Sequence, residues 1–176
     1  MFNRDQTKKT GLGVIPDNLN TLSVQMANNS DLIKLLLDQG KKPYSMQITP
    51  ESVQKVFSEE LIQIIPRVKV DEDNTVRSYL VISVTNFEPT TNPQYMNSIL
   101  IVDILCHLEN WKIESRQGQL ELRPYSIGEI VRQMIDNRKF AGIGTATFVG
   151  GESMILGSNP DFAGVSLRFS LTDSTN

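Results

Sequence analysis

The sequence has one cysteine, one histidine and one tryptophan, and each scarcity excludes something. A lone cysteine closes no internal disulfide, which predicts assembly in a reducing cytoplasm. One cysteine and one histidine fall short of the usual ligands of a structural zinc site. Long apolar runs are also missing: stretches such as Ile99 to Val102 are far below the roughly 20 residues that span a bilayer. The opening MFNRDQTKKTGLG has no apolar core of a signal peptide. With a formal net charge of -3, the chain lacks the excess of Lys and Arg by which a nucleic-acid binder neutralises phosphates in bulk. What remains, 39% hydrophobic and 21% charged residues, is the composition of one ordinary globular domain with room for an appendage.

The first 29 residues are rich in Asn, Thr, Lys and Gly, with apolar side chains too widely spaced to build a core. They are expected to form an extended N-terminal arm. Within it Leu22, Val24 and Met26 alternate, a pattern that would add an edge strand to a sheet on a neighbouring subunit. Organised structure is expected over 30–176. Asn29 or Ser30 caps a short helix through Leu37, and Gly40 stops it. Thr49-Pro50-Glu51 starts a second helix, with Val53, Val56, Phe57, Leu61 and Ile64 at helical spacing and Pro66 as its end.

Residues 78–85 and 96–108 are rich in β-branched and apolar residues and predict two strands, the second apolar on both faces and therefore central. Leu122 to Ile135 carries the clearest amphipathic helix, for which Ser126 and Glu129 form a capping-box pair. Residues 143–148 and 153–156 flank Gly150-Gly151, the signature of a tight hairpin turn. Residues 162–171 alternate as a terminal strand. The sum is an α+β domain: a mostly antiparallel sheet of four to five strands packed with about three helices, plus the arm.

Three constellations invite a chemical reading. Cys106 and His107 are adjacent, but neighbours in a strand point to opposite faces, so they do not pair as nucleophile and base. Gly142-Ile143-Gly144-Thr145-Ala146-Thr147 lacks the last glycine of a dinucleotide loop and would precede a strand instead of a helix. Asp103 is the one carboxylate within the central strand. With Glu121, and with Glu109 and Arg123 downstream, it offers the donors of a Mg²⁺-dependent nuclease, although the spacing matches no tight motif.

Several phrases carry a resemblance: SDLIKLLL at 30–37, IPRV at 65–68, the strand pair within 78–108, LRPYSIGEIVRQMI at 122–135 and DFAGVSLRFSLTD at 161–173. In these the chain resembles the tail-terminator and tail-completion proteins of tailed bacteriophages. The resemblance implies a structural protein of the virion neck or tail, assembled in the host cytoplasm. It implies no catalytic residue, metal, cofactor, small-molecule substrate or membrane. The implied partners are copies of itself in a ring, a hexamer or dodecamer, and the neighbouring neck and tail proteins, with nucleic acid only passing through. Interface candidates are Leu22, Val24 and Met26 of the arm, Phe148, Gly150, Gly151 and Met154 of the hairpin, and Pro89 and Pro93 of the loop between the two strands. The alternatives are a head-completion or collar ring protein of a short-tailed phage, and the nuclease using Asp103 and Glu121.

Overall fold

A computed structural model describes residues 11–64, 75–89, 96–141 and 143–172. The chain runs α1 (Ile15–Ala27), α2 (Ser30–Leu37), α3 (Pro50–Ser58), β1 (Ile62–Gln63), β2 (Ser78–Pro89), β3 (Met96–His107), β4 (Lys112–Glu114), β5 (Leu120–Leu122), α4 (Arg123–Ile135), β6 (Lys139–Phe140), β7 (Gly144–Ile155) and β8 (Phe162–Thr172). Six strands form one curled sheet in the order β1-β2-β3-β8-β7-β6, and β4 pairs with β5 in a separate hairpin. Only the β1–β2 pairing is parallel. The α+β class is as expected, with a larger sheet and one more helix.

That helix is the main correction. Residues 15–27 are not part of an extended arm: Pro16 opens α1, where a missing N–H costs nothing, and Leu19, Leu22, Ser23, Met26 and Ala27 are buried along one side. The same residues that alternate also fit a spacing of three and four, and only the helix hides Leu22 and Met26 while leaving Val24 exposed; a strand would put all three on one face. Leu22 and Met26 are therefore core residues and not interface residues, while Val24 stays half exposed. At the next boundary Asn29 is the cap, its side chain accepting from the N–H groups of Asp31 and Leu32 at 3.1 and 3.0 Å.

Three further expectations are revised. The second predicted helix, α3, ends at Ser58, because Glu60 turns the chain at φ 52 and the chain goes on to β1. Leu61 is still buried, but its C=O now accepts from the N–H of Leu80 at 2.8 Å, so its burial serves the sheet. Pro66 lies outside the described residues. Helix α4 starts at Arg123, one residue before Pro124, and Ser126 donates to Glu121 at 2.9 Å instead of capping. Gly150-Gly151 is no turn: β7 is continuous, with a bulge between Phe148 and Gly150 where Gly150 takes φ 143. A glycine pair within a strand makes a bulge as readily as a hairpin, and here the chain reverses later, after Ile155.

The helices bury one face of the sheet. Gly128 of α4 lies against Ile104, Val165 and Leu167, and this face also carries Leu80, Ile82, Leu100, Val102, Cys106 and Phe169. The other face alternates with it along each strand, as a pleated sheet requires. At its lower end Tyr79, His107 and Phe162 pack ring on ring, with centroids 5.8 and 5.1 Å from Phe162. Here β8 presses close to β3: a Cβ at Gly164 would sit 1.6 Å from the carbonyl oxygen of Ile104.

One buried charge ties the start of α4 to the end of α2 and to the turn after β3. The Arg123 side chain is fully buried, and its guanidinium donates to four carbonyls: Asn110 at 2.7 Å, and Leu35, Asp38 and Gly40 at 2.6 Å each. Leu35 is in the last turn of α2, where carbonyls lack helical partners and the helix dipole is negative. The Asp38 carboxylate is 4.0 Å away. Burial pulls the guanidinium below its ordinary pKa, while the thiol of Cys106 and the carboxylate of Asp38 oppose the shift.

Two measurements check this architecture. In denaturant unfolding, Leu22→Ala or Met26→Ala should lose about 2–5 kcal/mol, while Val24→Ala should change little; equal effects would restore the extended arm. Arg123→Met should lose about 3–5 kcal/mol by stranding buried carbonyls, and Arg123→Lys should recover only part of it, since an ammonium cannot reach four carbonyls as the planar fork does.

Candidate functional site

The rare-residue pair comes apart as strand geometry demands. Cys106 is buried on the helix-covered face, where burial pushes its thiol up to about 12, only partly offset by a hydrogen bond from Ser78 and the charge of Arg123. A thiol held that far above neutral pH is not a nucleophile. His107 lies on the opposite face, its ring edge-on to Phe162 and its Nδ1 accepting from the N–H of Glu109 at 3.2 Å. Trp111 is half-buried beside the β4–β5 hairpin.

Asp103 and Glu121 are placed in different surroundings. Asp103 stands on the face of the sheet turned away from the helices, in register with Ser166 of β8. Burial raises its carboxyl above the usual range, against a hydrogen bond from Ser166 and the charge of Arg168; Glu152 adds to the rise. Arg168 is itself paired with Glu152 across β8 and β7. Glu121 is on β5, accepting from Ser126, and Arg123 is committed to carbonyls. The predicted acid pair is therefore not brought together, and Glu109 lies with Trp111 in a third place. Among the described residues no group of three or more His, Cys, Asp or Glu is arranged to hold a metal ion.

The concave surfaces cluster around the β4–β5 hairpin instead. A cleft of about 690 Å³ is lined by Lys41, Leu108, Trp111, Ile113 and Leu120 among others. On the hairpin's other side a cleft of about 600 Å³ gathers Asp31, Tyr44, Arg116, Glu121, Tyr125 and Glu129. Arg116 pairs with Asp31 and lies 5.3 Å over the Tyr44 ring, so its charge is already engaged. Burial, then the carboxylates of Glu121 and Asp31, hold the Tyr44 phenol above its ordinary pKa. Around these clefts Leu108, Leu120, Leu122 and Tyr125 are exposed, Leu120 at 72%. Leu120 and Leu122 are on β5, Leu108 is in the turn after β3 and Tyr125 is in the first turn of α4, so the four apolar side chains come from three elements around the hairpin.

Of the residues expected at an interface, Val24 is exposed, Phe148 and Met154 are half-buried, and Gly150 and Gly151 lie in the part of β7 beyond its pairing with β6. Pro89 ends β2, and Pro93 lies outside the described residues. Sequence reading passed over Leu120, Tyr125, Val149 and Ile155, which are more exposed than Val24. The available signal was parity: in β7, Val149 and Ile155 are large apolar residues beside small and polar ones, in a strand long enough to overrun its partner β6.

The class defined by these features is a single-sheet α+β domain whose apolar exposure gathers on a hairpin and on a sheet edge. A family model, YomW, matches residues 29–171, and the chain belongs to the YomW family. That is a family of Bacillus prophage-type proteins, which points to a phage-associated origin. Comparison with curated proteins finds no match.

The raised carboxyl of Asp103 sets a pH dependence. Its folded pKa lies above the unfolded one, so the native state binds the proton more tightly and stability falls as pH rises from the unfolded pKa through the folded one. Asp103→Asn should therefore raise the melting temperature at pH 7, with the gain vanishing below the pKa of an ordinary aspartate. A variant less stable at pH 7 would show that Ser166 and Arg168 outweigh the burial.

Proposed function

We propose that the protein is a structural component of a tailed-phage virion, acting at the neck as a tail-terminator-like ring protein that joins or closes the tail by protein contacts. The observation that carries this reading is the YomW match over 29–171, which spans nearly all of the described domain and gives it a phage-associated origin. The surface supports it. Leu108, Leu120, Leu122 and Tyr125 form an apolar rim around two open clefts on the β4–β5 hairpin, suited to receive the side chains of another protein. Several ionisable groups near that rim are engaged with one another: Asp31 with Arg116, Lys42 with Glu114, and Glu129 with Arg132. A ring needs a heterologous contact, in which one surface meets a different surface of the next subunit, and the hairpin with its clefts is one half of such a contact.

In this reading the protein acts in the virion and its partners are its own copies and the neck and tail proteins beside it. A phage carrying a stop codon early in this gene is expected to yield filled heads and separate or overlong tails by electron microscopy of the lysate. Normal virions from that mutant would overturn the assignment. Leu120→Lys should reproduce the defect while leaving the purified protein folded, because it alters only an exposed position.

A further inference from the structure

The six-stranded sheet is finished differently at its two sides. On one side β1 covers only Leu80 and Val81, and beyond it β2 carries Asn86 at φ 54, a register irregularity between Thr85 and Glu88, and Pro89. A bulge and a proline are devices that stop an edge from accepting another strand. On the other side β6 pairs only with Gly144 and Thr145, and the Phe148 N–H is taken by the Asp136 carboxylate at 2.9 Å. From Val149 to Ile155 no described strand lies beside β7 on the side away from β8. This stretch holds neither lysine nor proline.

Hydrogen-bond alternation shows which groups face outward. Leu156 donates its N–H to the Phe162 carbonyl at 3.2 Å, so Met154, Glu152 and Gly150 bond toward β8. Gly151, Ser153 and Ile155 then turn their N–H and C=O groups away from the sheet. Along that edge, between β7 and α4, runs a groove of about 460 Å³ lined by Tyr125, Gly128, Phe148, Gly151, Val165 and Leu167. The Tyr125 and Ser153 hydroxyls are 3.4 Å apart across it. Ile155 is 78% exposed, the highest value among the large apolar side chains of the described residues.

We propose that β7 is a docking edge for β7 of a second copy of this chain, the two strands pairing antiparallel about a two-fold axis at Ser153. In that register Gly151 of each copy faces Ile155 of the other. A Cβ at Gly151 would come within 2.9 Å of the Ser166 carbonyl oxygen and 3.0 Å of Leu167, so this position admits no side chain and leaves the groove floor bare. The partner's isoleucine covers that floor, and the two-fold axis makes the fit twice. Charge agrees with it: the only charged residue of the edge, Glu152, faces Met154 of the partner and is already paired with Arg168. The blunted β2 edge offers no equivalent surface. A contact one strand wide lies near or below the roughly 1,200 Å² of the smaller stable interfaces, so pairing depends on concentration. The proposal does not rest on the neck reading, because a two-fold contact closes on itself and leaves ring formation to another surface.

The test uses the full-length protein. Sedimentation velocity over a wide concentration range should show a monomer–dimer equilibrium that Ser153→Pro weakens at least about tenfold, since it removes an outward N–H and none of the bonds to β8. Ser153→Cys should form a covalent dimer on oxidation, because residues facing each other in such a pair have Cα atoms about 5.5 Å apart. The native Cys106 is buried and does not compete. Thr147→Cys, exposed on the same strand but outside the paired stretch, should form no covalent dimer on oxidation. A wild-type protein that remains a monomer throughout with no Ser153→Cys cross-link, or an oligomer that Ser153→Pro leaves unchanged, overturns the proposal. Should Ser153→Pro lose its fold by circular dichroism, the contrast between the two cysteine variants decides alone.

Discussion

The buried guanidinium of Arg123 is the constraint on which the helical layer depends. A charge without water is costly unless every donor finds an acceptor, and here four backbone carbonyls from two separate segments converge on it. The end of α2, the loop from Asp38 to Gly40 and the turn at Asn110 must all stand where the fork can reach them. That in turn sets where α4 begins, since Arg123 is its first residue and its own N–H bonds the Trp111 carbonyl at 2.8 Å. The β4–β5 hairpin between Asn110 and Arg123 is thereby pinned at its base, while its tip and its leucines project.

The same economy explains why polar residues that look reactive are quiet. Arg116 is taken by Asp31 and Tyr44, Arg168 by Glu152, Ser126 by Glu121, and Cys106 sits in the core. What is left outward is of another kind: apolar side chains on the hairpin and unpaired backbone along β7. Both are suited to contact with other polypeptides, one through side chains and one through main-chain hydrogen bonds. A phage-associated family fits a molecule with this distribution.

Much of the fold was legible. The caps at Asn29 and Thr49, the central strand β3 and the terminal strand β8 follow from local chemistry: a side-chain oxygen before an apolar run, a proline in a first turn, β-branched residues in series. The failures fall where two local patterns were both allowed. Leu22, Val24 and Met26 fit a period of two, and with Leu19 they also fit a helix; burial against α2 and α3 chose the helix. Gly150-Gly151 suits a hairpin or a bulge, and the length of β8 beside it chose the bulge. Leu61 and Ile64 continue a helical spacing in sequence, yet Ile62 and Gln63 between them pair with β2. Of the candidate surface, the β7 glycines were noticed for the wrong reason, and the hairpin leucines were not noticed because exposure has no local signature.

By itself the sequence determined that the chain closes no internal disulfide, the α+β class and the separation of Cys106 from His107, because composition and the alternation of side chains in a strand need no knowledge of neighbours. Only the tertiary structure decided that the first 29 residues contribute a core helix, that Arg123 is an internal anchor, that Asp103 and Glu121 stand apart, and that β7 overruns its partner. Each of these depends on which distant segments meet. Burial, the pairing of strands and the satisfaction of an internal charge are properties of such meetings, and local sequence periodicity does not encode them.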